Sequence, residues 1–453
     1  MILAQVSFLE MIDNFLWGYA VLPILLVLGV YLTIKSRFVQ FRRFPFILRS
    51  FSSSLRSKHD GQGVHPLKAF FTCMGGCMGI SNVVAVCTAT QIGGPGALFW
   101  IWITAIIAMI IKYSEVYLGM RYRVSDGKGG YRGGPMYFLQ KVFKYGWVSK
   151  VACILLCLYG IEIYQFTVVT EIVSTNFELN KYGVAILLII VMIAISRKGV
   201  HQVGRVASFC VPFFVIGYIS MGAWVFFQNL SILPDVFHMV IQSAFTGHAA
   251  AGAFAGSTIL LTASQGMRRS CYSGDIAVGY ASVIHSETGE SCPEKQASLA
   301  FLEVFLDNFV ICTTSIMLVL VTGVWNDPAE ANLLVQRALE GYFPAMNILM
   351  PLFLLMLGFT TIISYFCAGI KCAEHISPVI GRRIYYVFAS VSLIGFVFLE
   401  SRQALTVMSI TAACLLLLNL YGIYNLRKEI KFHREPQKNA FQIETSLEQI
   451  SQN

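Results

Sequence analysis

Residues 72–102 read TCMGGCMGISNVVAVCTATQIGGPGALFWIW, a stretch that carries no charge and is apolar enough to enter a membrane. Gly75, Gly76 and Gly79 interrupt it, and residues 93–96 (GGPG) interrupt it again. A lipid-facing helix gains nothing from such breaks, because an unpaired backbone group in hydrocarbon is costly. Broken backbone is tolerated at membrane depth where it lines a cavity, and helix ends there can bind a substrate or an ion. The stretch therefore predicts a membrane transporter.

The composition supports a membrane protein. The chain has 453 residues, of which 56% are hydrophobic and only 13% are charged, whereas soluble domains average about 25% charged residues. The net charge of +9 does not indicate a nucleic-acid partner, because the bases concentrate in the connections between apolar segments. The 12 cysteines lie mostly inside those segments without zinc-type spacing, which favours packing residues over a metal centre. We expect no cofactor.

Eleven segments are long and apolar enough to be transmembrane helices, which need about 20 residues each. They cover about 15–35, 67–90, 97–120, 150–175, 182–196, 206–228, 237–262, 300–323, 345–370, 383–399 and 404–425. Of the 33 Lys and Arg residues, 29 fall in one set of alternating connections, only Lys181, Arg337 and Arg402 fall in the other, and Lys112 lies within a span. Because cytoplasmic loops carry the excess of bases, we expect the N-terminus outside and the C-terminus inside. Residues 426–453 would then be a cytoplasmic tail.

The last ten segments divide into two halves, 67–228 and 237–425, which follow the extra helix 15–35 within one membrane domain, 1–425. Each half opens with a glycine-interrupted span, and the second is interrupted at Gly247, Gly252 and Gly256. Five helices per half would invert the second half relative to the first. Matched interrupted spans indicate a transporter's binding site. The alternative is that these small residues only allow close helix packing, as in GxxxG contacts.

An ordered series of short motifs resembles one known family. The motifs are GISN at 79–82, GGPGALFW at 93–100, KYSE at 112–115, GGPMY at 133–137, YSGDIAVG at 272–279, LEVFLD at 302–307 and FTTII at 359–363. They resemble the sodium:alanine (or glycine) symporters of bacteria and archaea across nearly the whole chain. There are departures, since Ser81 stands where relatives have glycine, and Gly274-Asp275 stands where they have an Asn-Glu pair.

The resemblance implies an all-α integral membrane protein of 11 transmembrane helices. The last ten would form a LeuT-like 5+5 inverted repeat with two broken helices. It further implies a sodium-coupled symporter of the bacterial cytoplasmic membrane, which imports alanine or glycine, L or D, by alternating access. Partners would be the amino acid, sodium and the bilayer; the oligomeric state is open, and a monomer is compatible with the sequence.

The resemblance also implies the substrate residues. Gly79, Ser81 and Asn82 would hold the substrate carboxylate at a half-helix N-terminus, which carries roughly half a positive charge. Gln165 looks like the family's substrate-contacting glutamine, and glycine at position 252 keeps the pocket small. The remaining pair, Thr361 and Tyr365, would contact the amino group and close over the side chain. Alternatives stay open: Asn82 as a cap of the break, Gln165 as an interhelical hydrogen-bonding group, and Tyr365 as a packing residue.

For sodium, the resemblance implies the carbonyls of Gly75 and Met78 with the hydroxyls of Thr360 and Thr361. The alternative for the two threonines is back-bonding within their own helix.

The remaining charges in the spans are ambiguous. A cytoplasmic gate of Arg269, Asp275, Glu303 and Asp307 is one hypothesis, and interfacial pairing or snorkelling of these charges is the other. Interfacial pairing or snorkelling is also the expectation for Lys112, which would lie near the cytoplasmic end of span 97–120.

Other functional classes remain as alternatives. They are a proton-coupled or sodium-independent carrier, a channel, and a membrane-embedded enzyme. A channel is disfavoured by the single filter-like segment. An enzyme is disfavoured because no HExxH motif and no nucleophile with an evident base is present.

Overall fold

A computed structural model describes residues 8–56, 62–127, 129–246, 259–326, 331–397 and 401–432 of the chain. The helices in chain order are α1 (Phe8–Phe15), α2 (Leu22–Lys35), α3 (Val39–Arg42), α4 (Phe44–Arg56), α5 (Pro66–Cys77), α6 (Ala85–Gly93), α7 (Ala97–Arg121), α8 (Pro135–Val142), α9 (Trp147–Tyr159), α10 (Ile163–Asn176), α11 (Lys181–Ser196), α12 (Val200–Gln228), α13 (Leu233–Thr246), α14 (Ile259–Ser273), α15 (Tyr280–Ser286), α16 (Pro293–Val304), α17 (Thr313–Val321), α18 (Ala331–Glu340), α19 (Met346–Ile376), α20 (Gly381–Phe396) and α21 (Ser401–Leu426).

Short irregular elements complete the architecture. Strands β1 (Val124–Ser125) and β2 (Tyr131–Arg132) pair antiparallel, with Val124 opposite Arg132. The π-helical segments are Leu16–Val21 and Phe305–Cys312, and the 3₁₀ turns are Ile80–Asn82 and Val324–Asn326. The first π-helical segment joins α1 to α2, and the second joins α16 to α17, so each becomes one continuous helix.

In the described part of the chain, seven helices are long and apolar enough to cross a membrane. They are Phe8–Lys35, Ala97–Arg121, Trp147–Asn176, Val200–Gln228, Pro293–Val321, Met346–Ile376 and Gln403–Leu426. A bent pair would form an eighth span, and Lys181–Ser196 is a shorter apolar helix. The structure thus supports a multi-span helical membrane protein. The count of eleven spans and the inverted repeat stay predictions.

The glycine-interrupted first span is broken, as its sequence predicts. Helix α5 ends at Cys77, the 3₁₀ turn follows, and the two halves meet at an angle of 59°. Gly79 is extended at the break, and a Cβ placed there would lie 2.6 Å from the Gln165 side chain. Only glycine therefore fits the break without moving Gln165. The second predicted break, with Gly247, Gly252 and Gly256, lies outside the described residues.

The predicted span 150–175 corresponds to the single apolar span Trp147–Asn176, which is kinked within its length. Helix α9 ends at Tyr159, and α10 begins after Glu162, whose backbone is left-handed at φ 52°. A Cβ on Gly160 would lie 2.9 Å from the Tyr365 carbonyl oxygen, so the close approach of α19 explains a small residue at this kink. A left-handed non-glycine residue costs energy and persists only where surrounding structure holds it.

Helix α7 occupies the centre of the fold. It packs against α2, α14, α15 and α16, and residues on every side of it are buried. A helix that is buried all round needs close neighbours, and small residues permit them. At Gly266 of α14, a Cβ would lie 2.4 Å from the Ala97 carbonyl oxygen and 2.9 Å from Trp100 Cβ.

We expect Gly266→Ala to destabilise the protein by about 1–3 kcal/mol, because the added methyl group overpacks the contact between α14 and α7. The measurement is the thermal unfolding midpoint in detergent. The matched control is Gly183→Ala, where a Cβ meets nothing within 4 Å and helix propensity improves by up to about 1 kcal/mol. Equal midpoints for the two variants would contradict this packing.

Candidate substrate and ion site at the broken helix

The break in the first span is held by polar side chains from distant helices. The Ile80 amide donates to Gln165 Oε1 at 3.0 Å, and the Thr361 hydroxyl donates to the Gly75 carbonyl at 3.0 Å. The Gly79 amide donates to Asn82 Oδ1 at 3.3 Å. Five of these residues, Gly75, Gly79, Asn82, Gln165 and Thr361, were predicted from the sequence to lie at a substrate or sodium site, and the structure brings them together at the break. This agrees equally with the alternative that Asn82 and Gln165 cap and cross-link the helices.

Asn82 connects the break to a buried carboxylate. Its side-chain amide donates to Asp307 Oδ1, while the Ser273 hydroxyl and the Asn308 amide each donate to Asp307 Oδ2 at 3.0 Å. Ser81 Oγ donates to Asn82 Oδ1 at 3.1 Å. Asn308 Oδ1 is buried without a hydrogen-bond partner. Polar groups from the π-helical segment and from α14 therefore surround the carboxylate that Asn82 of the turn contacts.

Asp307 was expected as a cytoplasmic gate or interfacial charge, near the start of the predicted span 300–323, and its position in the structure is different. The helix begins at Pro293, well before the predicted start at 300, so Asp307 lies at the middle of the span Pro293–Val321. It is fully buried there, within the π-helical segment. Single π-helical segments are frequent at functional sites.

The predicted sodium ligands lie around Gly75. Thr361 donates both to the Gly75 carbonyl and back to Leu357 of its own helix, each at 3.0 Å. Thr360 back-bonds only, to Met356 and Leu357, as the alternative interpretation of the threonines allows.

Two further groups border this predicted sodium position. Met78 directly follows α5 at the break. Ser364 was missed by the sequence analysis: its hydroxyl is buried without a partner, and it lies 3.5 Å from a Cβ placed on Gly75. Its place one turn after Thr360 and Thr361 is the sequence signal that could have identified it.

Tyr365 lies in an aromatic cluster one turn from Thr361. Its ring stacks on Tyr280, with centroids 4.0 Å apart, and meets Tyr159 edge-on at 5.2 Å. Tyr280 donates its hydroxyl to the Thr72 carbonyl at 2.7 Å, which ties the cluster to α5. The Tyr365 hydroxyl is itself buried and unpaired, so Tyr365 packs but keeps a polar group available.

Lys112 forms a fully buried ion pair. Its ammonium lies 3.2 Å from Glu303, and both side chains have no exposed surface. The same ammonium donates to Cys77 Sγ at 2.8 Å and to the Gly274 carbonyl at 3.0 Å. The expectation of a snorkelling lysine is therefore wrong. Lys112 lies about two turns before the end of α7 and bridges the end of α5 to the segment after α14.

The Lys112 pair occupies a cluster with metal-binding side chains. Ligand atoms of Cys73, His285 and Glu303 lie within 4.8 Å of one another. His285 is hydrogen-bonded to Glu303 at 2.7 Å and to Gln296 at 2.7 Å, and the Cys73 thiol donates to Glu303 at 3.2 Å. The Lys112 ammonium already neutralises the Glu303 carboxylate. The cluster therefore suits the lysine side chain as its cation better than a metal ion.

The predicted gate residues do not form one network among the described residues. Glu303 binds Lys112 and His285, and Asp307 binds the broken helix. Asp275 accepts a hydrogen bond from Tyr159 at 3.4 Å, and no ion pair between Asp275 and Arg269 is present in the part of the chain that the structure describes. The three acids belong to separate contacts, which their spacing along the chain does not reveal.

Other ion pairs lie at a cavity of about 220 Å³ beside α19. Lys371 pairs with Glu287 at 2.8 Å, and Glu374 contacts Arg382 at 2.5 Å and Arg132 at 3.7 Å. These bases belong to the connections that the charge asymmetry predicts to be cytoplasmic.

We expect Lys112→Met to destabilise the protein by about 3–5 kcal/mol, because it leaves the buried Glu303 charge uncompensated. The double variant Lys112→Met/Glu303→Gln should recover part of that loss. The control is Arg121→Gln, which breaks an ion pair with Glu429 that is 38% and 36% exposed and should cost less than about 1 kcal/mol. Thermal unfolding in detergent measures all three, and similar midpoints for both single variants would argue against the buried pair.

Comparisons with known proteins agree with this architecture. A family model described as the sodium:alanine symporter family matches residues 3–441. An uncharacterized transporter, YflA of Bacillus subtilis, is 32% identical, with 85% of this chain and 84% of the relative covered. The sodium/alanine symporter AgcS of Methanococcus maripaludis is 28% identical, with 84% and 86% covered.

Among solved structures, MhsT in complex with L-phenylalanine is similar at a TM-score of 0.51 and 16% identity, over 81% of this chain and 90% of that one. This likeness shows the LeuT-like fold. With its long apolar helices, the chain is a multi-pass membrane protein, and it belongs to the sodium:alanine symporter family.

Proposed function

We propose that the protein is a sodium-coupled symporter that imports a small neutral amino acid, alanine or glycine, by alternating access. The observation that carries the proposal is the broken helix, whose turn is joined through Asn82 to the buried carboxylate of Asp307. The broken helix thus offers the N-terminus of a half-helix, which can bind an anionic group, and nearby oxygen atoms, which can bind a cation. Membership of the family and the sodium/alanine relative AgcS support this choice of ligands.

The substrate carboxylate would bind at the turn of Gly79, Ser81 and Asn82, before α6. Helix starts carry a partial positive charge, and no buried base is then needed. Gln165 and Thr361 line the same turn, since a Cβ on Gly79 would lie 2.6 Å and 3.0 Å from their side chains. This close spacing supports a small substrate, and Gly252 would contribute from the predicted second break.

Two places could hold the coupling ion. The first is the predicted one, with the carbonyls of Gly75 and Met78 and the hydroxyls of Thr360 and Thr361, to which the unpaired Ser364 hydroxyl adds a further oxygen. The second is Asp307 with its neighbours Ser273 and Asn308. Sodium is a hard cation that prefers such oxygen ligands, and a buried carboxylate without a cationic partner is costly. Asp307 is therefore the stronger candidate ligand.

Alternating access would move the broken helix and the elements attached to it against the remaining helices around this site. The inverted repeat of 67–228 and 237–425, and the orientation with the N-terminus outside the cytoplasmic membrane, are part of the same proposal. The domain division into 1–425 and the tail 426–453 also belongs to it.

Proton coupling is the second candidate, and a specific observation favours it. Asp307 and Asp275 are buried, and neither forms an ion pair with any described residue. Carboxyl groups in such surroundings can bind a proton in place of a metal cation.

The first test is uptake of radiolabelled alanine and glycine into proteoliposomes. We expect an inward sodium gradient to drive accumulation above equilibrium, while a matched potassium gradient does not. Accumulation driven by a pH gradient without sodium would support the proton-coupled candidate instead. Absence of uptake for both amino acids would refute the proposed substrate class.

We expect Asn82→Ala to abolish uptake while membrane insertion stays normal, because it removes the side chain that joins the break to Asp307.

We expect Asp307→Asn to raise the half-saturating sodium concentration about tenfold or more, since a charged ligand is lost. Initial uptake rates across a sodium titration measure both effects. Normal uptake by the Asn82 variant would refute this site, and an unchanged sodium dependence would remove Asp307 from it.

A further inference from the structure

Residues 36–56, which connect the first span to the broken span, carry bases and no acid. The bases are Arg37, Arg42, Arg43, Arg49 and Arg56. No Asp or Glu occurs anywhere between Asp13 and Asp60. The side chains of Arg37 and Arg49 are exposed, and neither forms an ion pair with a described residue. This connection therefore presents positive charge that the described protein does not neutralise.

A fixed turn separates this connection from the first span. Arg37 and Phe38 are both left-handed, with φ of 56° and 55°, and non-glycine residues keep that conformation only where the surrounding structure holds it. Here α2 holds it, because the Phe38 amide donates to the Thr33 carbonyl at 2.9 Å and the Gln40 side-chain amide donates to the Thr33 hydroxyl at 3.3 Å. The turn thus fixes where α3 and α4 begin.

Helix α4 packs one side against the two helices that carry the site. The buried residues of this side are Ile47, Ser50 and Ser54. The Phe44 ring meets Phe305 of the π-helical segment edge-on, with centroids 5.3 Å apart, and Phe51 meets Phe70 in the same way at 5.2 Å. Phe70 lies in the second turn of α5, so α4 lies near the start of the broken span. With 13 residues, α4 is about 20 Å long and too short to cross a membrane.

The opposite side of this connection is not covered by the described residues. Its apolar side chains keep between 45% and 59% of their surface exposed, and they are Phe38, Phe41, Leu48 and Leu55. The exposed bases Arg37, Arg42 and Arg49 alternate with them along the chain. We call these seven residues the α3–α4 surface. Apolar and basic side chains together on the uncovered side of a short helix are typical of helices that lie at a membrane surface.

We propose that the α3–α4 surface binds the headgroups of anionic phospholipids, while its apolar side chains enter the lipid. Charge complementarity identifies the lipid, because each base near the membrane strengthens the binding of an anionic headgroup about fivefold. A zwitterionic lipid would cover the apolar side chains equally well and leave the bases without a counter-charge. The bases belong to the connections that the charge asymmetry predicts to be cytoplasmic, and that leaflet carries anionic lipid. This inference does not depend on the transported substrate or on the coupling ion.

The test is the thermal unfolding midpoint of the full chain in detergent, titrated with phosphatidylglycerol or with phosphatidylcholine of the same acyl chains. A potassium buffer keeps the proposed coupling ion out of the experiment. Phosphatidylglycerol should raise the midpoint at a lower concentration than phosphatidylcholine does. The double variant Arg37→Gln/Arg49→Gln should need roughly 30-fold more phosphatidylglycerol for the same shift, with its phosphatidylcholine response unchanged. Arg37→Lys/Arg49→Lys keeps both charges and should respond as the wild type does.

The matched control is Lys198→Gln/Arg383→Gln, which removes two exposed bases from other connections and should keep the wild-type response. The wild type gives a second readout that needs no variant. In about 1 M potassium chloride, where the screening length falls to about 3 Å, the phosphatidylglycerol response should weaken and the phosphatidylcholine response should not.

Four results would overturn the proposal. They are equal responses of the wild type to the two lipids, an unchanged phosphatidylglycerol response of Arg37→Gln/Arg49→Gln, an equal loss in the control variant, and equal stabilisation by glycerol phosphate, which has no acyl chains and would indicate a site for a soluble anion. If the glutamine variant does not fold, the salt dependence of the wild type decides, and equal salt effects on both lipids would refute the role of the bases.

Discussion

The break of the first core span between Cys77 and Ile80 is the constraint on which the rest of the site depends. Backbone groups released at membrane depth must be paired by protein, because lipid offers no hydrogen bonds. Gln165 pairs the Ile80 amide, Thr361 pairs the Gly75 carbonyl, and Ser315 pairs the Asn82 carbonyl at 2.9 Å. The partners of the break come from three other helices. The same groups that stabilise the break therefore also surround the space where a small zwitterion would bind.

Buried charged side chains surround this break. Lys112 contacts Glu303, the Cys77 sulfur and the Gly274 carbonyl, so this fully buried lysine joins the end of α5 to the segment after α14. Asp275 and Asp307 are also buried, and neither forms an ion pair with a residue that the structure describes. This division suits a symporter, because carboxylates that were permanently paired could not exchange a cationic ligand during transport.

Sequence reasoning worked best where local chemistry leaves few options. Glycines in an uncharged apolar stretch predicted the broken helix, and the family motifs placed Asn82, Gln165 and Thr361 at it. The bounds of the span with Lys112 were predicted correctly, but the burial of its charge was not. The span with Asp307 was predicted to start at 300 instead of Pro293, so Asp307 was expected too close to a helix end. Their partners, Glu303 and Asn82, are remote in the chain, and only those partners make the burial possible.

The sequence by itself determined the class of protein, the family, the first helix break and the residue types that could serve small zwitterions and cations. These follow from local composition, glycine chemistry and motif order, none of which needs a distance. The tertiary structure decided which charges are paired, where Ser364 and Asp275 lie, and that the three predicted gate acids belong to separate contacts. Pairing depends on the separation and burial of groups from different helices, and spacing along one chain does not contain either quantity.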